Sequence, residues 1–297
     1  MEIAVDRRDH DGALADRLAT MNGIAFASGM LGAIMVTVPL EFVLRTLHWR
    51  EVFQGIVGLT VAASLVLFFV VPEKTAARRA VPLAQQLREY AALARDPAFW
   101  RIALCIGTSQ LAAVSLGTLW VATWLRDVAG YTQAEVAQAL LLFNVLMIAG
   151  YLGIGRASDR MTRSGRSTLP LLAGGVALAS LCLALLAAGL RTGHLLLWIV
   201  FFVGSTSVVL SYSLFSRRYP KEMVGRVNSA LNVSVFVGMF SGQWAVGLVI
   251  NLWPQAAAGY AAEAYPWALG GLWLLQAAGV AWLWHGRRLF ANTGPAV

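Results

Sequence analysis

Few residues in this chain are equipped for covalent chemistry, and those few stand apart. The four histidines, His10, His48, His194 and His285, lie far from one another, and the two cysteines, Cys105 and Cys182, sit in separate apolar runs. No histidine is paired with a nucleophile, no glycine-rich loop could cradle a phosphate, and no group has metal-ligand spacing. The serines of Gly204-Ser-Thr-Ser207 are embedded in an apolar stretch without a neighbouring base. The residue inventory argues against an enzyme: no catalytic residue, cofactor or metal site is expected.

Non-covalent chemistry remains, and its sharpest candidate is the run Gly155-Arg-Ala-Ser-Asp-Arg-Met-Thr-Arg-Ser-Gly-Arg166. A carboxylate fixed in a loop, such as Asp159, can sit at the N-terminus of a neighbouring helix, where the dipole and free N–H groups favour an anion. The bland alternative is that Asp159 caps its own loop and the arginines only set topology. Glu41 and Arg45 have the i,i+4 spacing of an ion pair on a helix. No ionisable residue falls at the centre of any apolar segment, which removes the usual mark of an intramembrane ion or proton path.

The elements that must position these residues are helices in lipid. The chain is 58% hydrophobic and 13% charged, a balance foreign to soluble domains. Eight stretches approach the roughly 20 apolar residues that a spanning helix needs. They are Met21 to Leu44, Val52 to Val71, Phe99 to Leu125, Ala134 to Ile154, Thr168 to Leu190, His194 to Phe215, Val227 to Asn251 and Pro266 to Trp284. None alternates apolar and polar residues as a membrane β-barrel strand does. The expected fold class is all-α, a polytopic helical membrane protein with eight transmembrane helices.

Charge gives the orientation. Nineteen of the 23 basic residues fall before the first segment, in or at the edge of alternate loops (Arg101 just inside the third segment), or after the last. The positive-inside rule then places both termini in the cytoplasm, and a bacterial inner membrane is the expected location. The net charge of +8 faces anionic lipid, so no nucleic-acid partner is expected. The longest interruption, Pro72 to Pro97, contains an amphipathic stretch, Leu83 to Arg95, suited to lie at the membrane surface.

Three motifs carry a family resemblance. Gly155, Ser158, Asp159, Arg160, Arg163 and Arg166 match the cytoplasmic signature of the major facilitator superfamily; Ala157 and Thr162 depart from it. Trp49-Arg-Glu-Val-Phe53 resembles the opening of that family's sixth helix, and Pro97-Ala-Phe-Trp100 resembles the opening of its seventh. The resemblance runs from about Asp16 onward and equates the eight segments with helices 5–12. It implies an N-terminally truncated transporter that lacks the first four helices. Residues 1–72 would be the remnant of the first half, 73–98 the cytoplasmic linker, 99–290 the complete second half, and 291–297 a tail.

The resemblance also implies roles. The signature loop would close the cytoplasmic side, Asp159 meeting the start of the first segment near Thr20 to Gly23. Helices facing the central cavity would offer Gln110, Trp120, Trp124, Asn144, Ser211, Tyr212, Asn232 and Gln243 to a small solute. The paired glycines of Gly238-Met-Phe-Ser-Gly242 suit close helix packing. The expected function is secondary transport of an unspecified small solute by alternating access. Its partners would be membrane lipid and that solute, with a second chain supplying the missing helices as a further candidate. Two alternatives stay open: a non-transporting scaffold, sensor or assembly partner, and a permease subunit driven by a separate ATPase.

Overall fold

The structure is a computed structural model that describes residues 18–35, 43, 46–70, 82–254 and 259–290. Those residues form helices and no β-strand. In chain order they are α1 (Leu18–Met35), α2 (Trp49–Val70), α3 (Leu83–Arg95), α4 (Pro97–Ser115), a π-turn (Leu116–Trp120), α5 (Val121–Asp127), α6 (Gln133–Arg163) and α7 (Leu169–Ala187). Then follow α8 (His194–Ser205), a 3-10 turn (Thr206–Val209), α9 (Leu210–Arg218), α10 (Lys221–Ile250), α11 (Ala264–His285) and a final 3-10 turn (Arg287–Phe290). α4, the π-turn and α5 make one continuous rod, as do α8, its 3-10 turn and α9.

Among the described residues, seven helical rods are long and apolar enough to cross a bilayer, one fewer than the eight expected. The shortfall is at the first segment. Of that segment, Met21 to Leu44, only residues 21–35 and 43 are described. Residues 36–42, 44 and 45, with the expected Glu41–Arg45 pair, lie outside the described residues.

Local chemistry sets the helix ends. Asp96 caps α4 by accepting the Ala98 N–H at 2.8 Å, with Pro97 at the first helical position. Thr132 and Glu135 form a reciprocal capping box at the start of α6. Gly165 and Gly189, at φ 69° and 82°, end α6 and α7 in the left-handed region that a side chain disfavours. The fourth expected segment, Ala134 to Ile154, is also corrected. α6 runs on to Arg163 because nothing after Ile154 breaks it, so all of the signature up to Arg163 is helical rather than loop.

The core is divided along the helix axes. At the arginine-rich end Phe99, Ile102, Leu172, Leu210, Phe215 and Leu231 pack together. At the other end Trp120, Trp124, Leu183, Trp198, Phe201 and Tyr265 do so. Small residues let the rods close on each other. A Cβ on Gly242 would stand 2.5 Å from Ser115 Oγ, and one on Gly204 would stand 2.8 Å from the Gly175 carbonyl oxygen. α2 is the exception, since none of its residues is buried.

Candidate functional site

The arginine-rich end holds the most constrained carboxylate. Asp159, in the penultimate turn of α6, is 4% exposed. Its Oδ1 accepts the Ala19 N–H at 3.2 Å, and its Oδ2 accepts the Thr20 N–H at 3.0 Å. Both donors belong to the first described turn of α1. A buried carboxylate is thereby satisfied by two backbone donors from another helix.

Two glycines make that approach possible. A Cβ on Gly155 would lie 2.9 Å from both the Ala19 carbonyl oxygen and Thr20 Cα, and one on Gly23 would lie 2.6 Å from the Tyr151 carbonyl oxygen. In each case the obstacle is backbone, which cannot rotate aside. Ser158 is buried beside Asp159, its hydroxyl without a partner. Arg160, Arg163 and Arg166 are exposed.

Away from that end, Phe26 of α1 stacks on Tyr151 of α6, centroids 5.4 Å apart, and tilts against Tyr212 of α9 at 5.6 Å. The Tyr212 hydroxyl donates to Asn232 Oδ1 on α10 at 2.6 Å. Two of the eight expected solute-facing residues are therefore joined to each other. Gln243 donates to Thr118 Oγ1 at 2.6 Å, tying α10 to the π-turn. Asn144 and Ser211 donate to carbonyls of their own rods, those of Leu140 and Val208.

Trp120 and Trp124 are both buried in the second core cluster. The Trp124 ring lies against His194 and Trp198, and the Trp120 ring lies against Tyr260 with its indole N–H unpartnered. Gln110 is half-buried. The eight residues are spread along the rods rather than gathered at one point.

Sequence reasoning missed three polar constellations. Asp127, its side chain 3% exposed, pairs with Arg126 and accepts from the Tyr265 hydroxyl at 2.8 Å and the Tyr260 N–H at 3.2 Å. Gln276, fully buried on α11, donates to Ser109 at 3.3 Å. Asp96 accepts the Tyr219 hydroxyl at 2.6 Å and lies 3.6 Å from Arg218; burial, then the carboxylate beside it, pushes the Tyr219 hydroxyl well above its ordinary range. For Asp96 and Asp127 the available signal was an acid at the boundary of an apolar segment. Apart from Arg126, beside Asp127, the partners lie more than 120 positions away and left none. Among the described residues no group of histidine, cysteine and carboxylate side chains could hold a metal ion.

Compared with known families, residues 13–243 match the family model described as Major Facilitator Superfamily, well over half of the chain. No curated protein matches it.

Proposed function

Because this chain belongs to the major facilitator superfamily, a family of membrane transporters rather than enzymes, we propose that it serves alternating-access transport of a small solute. Its rods correspond, in this reading, to helices five through twelve of the family fold. The arginine-rich end, with both termini, faces the cytoplasm of a bacterial inner membrane. Contact between Asp159 and the start of α1 holds that side closed, and its release lets the side open. Gln110, Asn144, Tyr212, Asn232 and Gln243 supply neutral hydrogen-bonding groups toward the solute path.

One observation carries the reading: the buried Asp159 carboxylate ends on two backbone N–H groups of α1. Such a contact suits a gate. It is made by a short side chain at fixed reach, so a small separation of α1 from α6 breaks both bonds together. Restoring them requires only that the glycine surfaces meet again. A contact of this kind at a helix terminus is worth up to about 2 kcal/mol when partly buried, enough to bias a two-state equilibrium without locking it.

The test pairs a distance with a flux. Spin labels on α1 and α6 would report the separation of their ends in Asp159→Asn, and proteoliposomes would report uptake over a panel of neutral, anionic and cationic solutes. The expected result is a closed-to-open ratio lowered roughly tenfold, about 1.4 kcal/mol, with altered uptake. Unchanged distances in the variant would remove the gating role. Absence of flux for every solute, with distances shifted as expected, would leave the gate and remove transport.

A further inference from the structure

We propose that α3 is a docking helix for the anionic lipid of the leaflet at the arginine-rich end, seated by an apolar stripe and held by two arginines. At 100° per residue, Leu83, Leu87, Tyr90 and Ala94 share an arc of about 60°. Leu83 and Leu87 are 71% and 60% exposed. The face that α3 turns to the bundle is a different one. There Leu93 is 3% exposed, and Glu89 is paired with Arg226 of α10. The stripe is therefore free while the helix itself is anchored.

What covers the stripe follows from where it leads. Asp96 alone separates α3 from α4, which crosses the membrane. The Trp100 indole N–H of α4 donates back to the Ala94 carbonyl oxygen at 2.7 Å. Trp100 and Leu104 are themselves exposed large apolar residues, one turn apart on the outside of a spanning rod. The apolar surface is thus continuous from Leu83 to Leu104, passing through a tryptophan at the position where indoles mark the boundary of a bilayer. In a bilayer, lipid would cover its lower part.

Charge selects the kind of lipid. Arg88 and Arg95 lie on the far side of the stripe from the bundle, are exposed, and belong to none of the described ion pairs. The one acid on α3, Glu89, is spent on Arg226. An apolar stripe flanked by uncompensated arginines fits headgroup phosphates above and acyl chains below. The inference rests on the chain's lying in a membrane and is independent of the role of Asp159.

The experiment places an environment-sensitive fluorophore on the full chain, in a Cys105→Ser, Cys182→Ala background, through Leu87→Cys or, as control, Ala92→Cys. Both positions are exposed, so labelling leaves the packing intact, which gel filtration would check. Nanodiscs of phosphatidylcholine with and without phosphatidylglycerol, carrying a quencher in the acyl chains, provide the surface. The expected result is acyl-chain quenching at Leu87→Cys with phosphatidylglycerol and little without it, and none at Ala92→Cys. Adding Arg88→Gln and Arg95→Gln should lower the docked-to-free ratio roughly 25-fold, at about fivefold per arginine. Equal quenching in pure phosphatidylcholine would overturn the anionic selectivity. A water-exposed label in both discs, or one shielded from water but unquenched because protein covers it, would overturn lipid docking itself.

Discussion

Gly23 of α1 rests on the carbonyl oxygen of Tyr151 in α6, so close that a Cβ there would stand 2.6 Å from it. Eight positions along α6 from Tyr151, Asp159 reaches the backbone of Ala19 and Thr20. One interface thus combines a steric fit with an electrostatic one, and the first controls the second. Gly23→Ala should force α1 away, because a carbonyl cannot turn aside as a side chain would. The expected outcome is a loss of about 1–3 kcal/mol from the association of α1 with α6, read as faster amide exchange at Ala19 and Thr20. Gly29→Ala, where a Cβ meets nothing within 4 Å, should leave both amides protected.

Tyr212→Phe separates packing from solute contact. The hydroxyl it removes donates to Asn232, a bond of a class averaging about 0.6 kcal/mol inside membranes. Thermal unfolding in detergent should therefore change by less than about 1 kcal/mol. Solute binding should fall roughly tenfold if the pair faces the transport path, one lost hydrogen bond to a ligand being worth about 1 kcal/mol or more. Unchanged binding would confine the pair to packing.

At the end remote from Asp159, Asp127 gathers Arg126, Tyr260 and Tyr265. Asp127→Asn keeps the shape and removes the charge that these donors face. Hydrogen bonds to a charged group contribute about 1.5–3 kcal/mol, so a destabilisation of that order is expected, with faster exchange at residues 259–263. The Ala19 and Thr20 amides should be unaffected, since Ala19 belongs to the core cluster at the opposite end.

Tyr219 gives an alkaline signature. Its hydroxyl is held above the ordinary value of 10 in the folded chain, so the bond to Asp96 contributes fully below about pH 10 and is lost as pH rises through the folded value. Tyr219→Phe should remove about 1 kcal/mol at neutral pH, the figure being reduced for partial exposure. It should also flatten the alkaline limb of the stability profile. A limb that stays equally steep in the variant would assign it to another group.

Much of the architecture was legible because lipid imposes a local rule. A helix in hydrocarbon must satisfy its own backbone and reach across, so each span announces itself as a run of about 20 apolar residues. The run from Phe99 to Leu125 falls within an observed rod, and that from Val227 to Asn251 overruns its rod by one residue. The segment Leu83 to Arg95 is observed as α3 at those same bounds. The run from Gly155 to Arg166 lies within the stretch that matches the family model, residues 13–243. The extent of α6 was misjudged, because an apolar count ends at Ile154 while the helix ends only at the Gly165 turn.

What the sequence alone determined, then, is the all-α membrane class and most of the runs that become apolar rods; the side of the arginines and the signature role of Asp159 are expectations it raised. The tertiary structure decided which groups meet: Asp159 with Ala19 and Thr20, Phe26 with Tyr151 and Tyr212, Asp127 with Tyr260 and Tyr265. The reason is physical. In water, a buried face is apolar and an outer face polar, so periodicity reveals orientation. In lipid both faces are apolar, and rods associate through close packing and a few hydrogen bonds. Such contacts join residues far apart in the chain and leave no local period by which to find them.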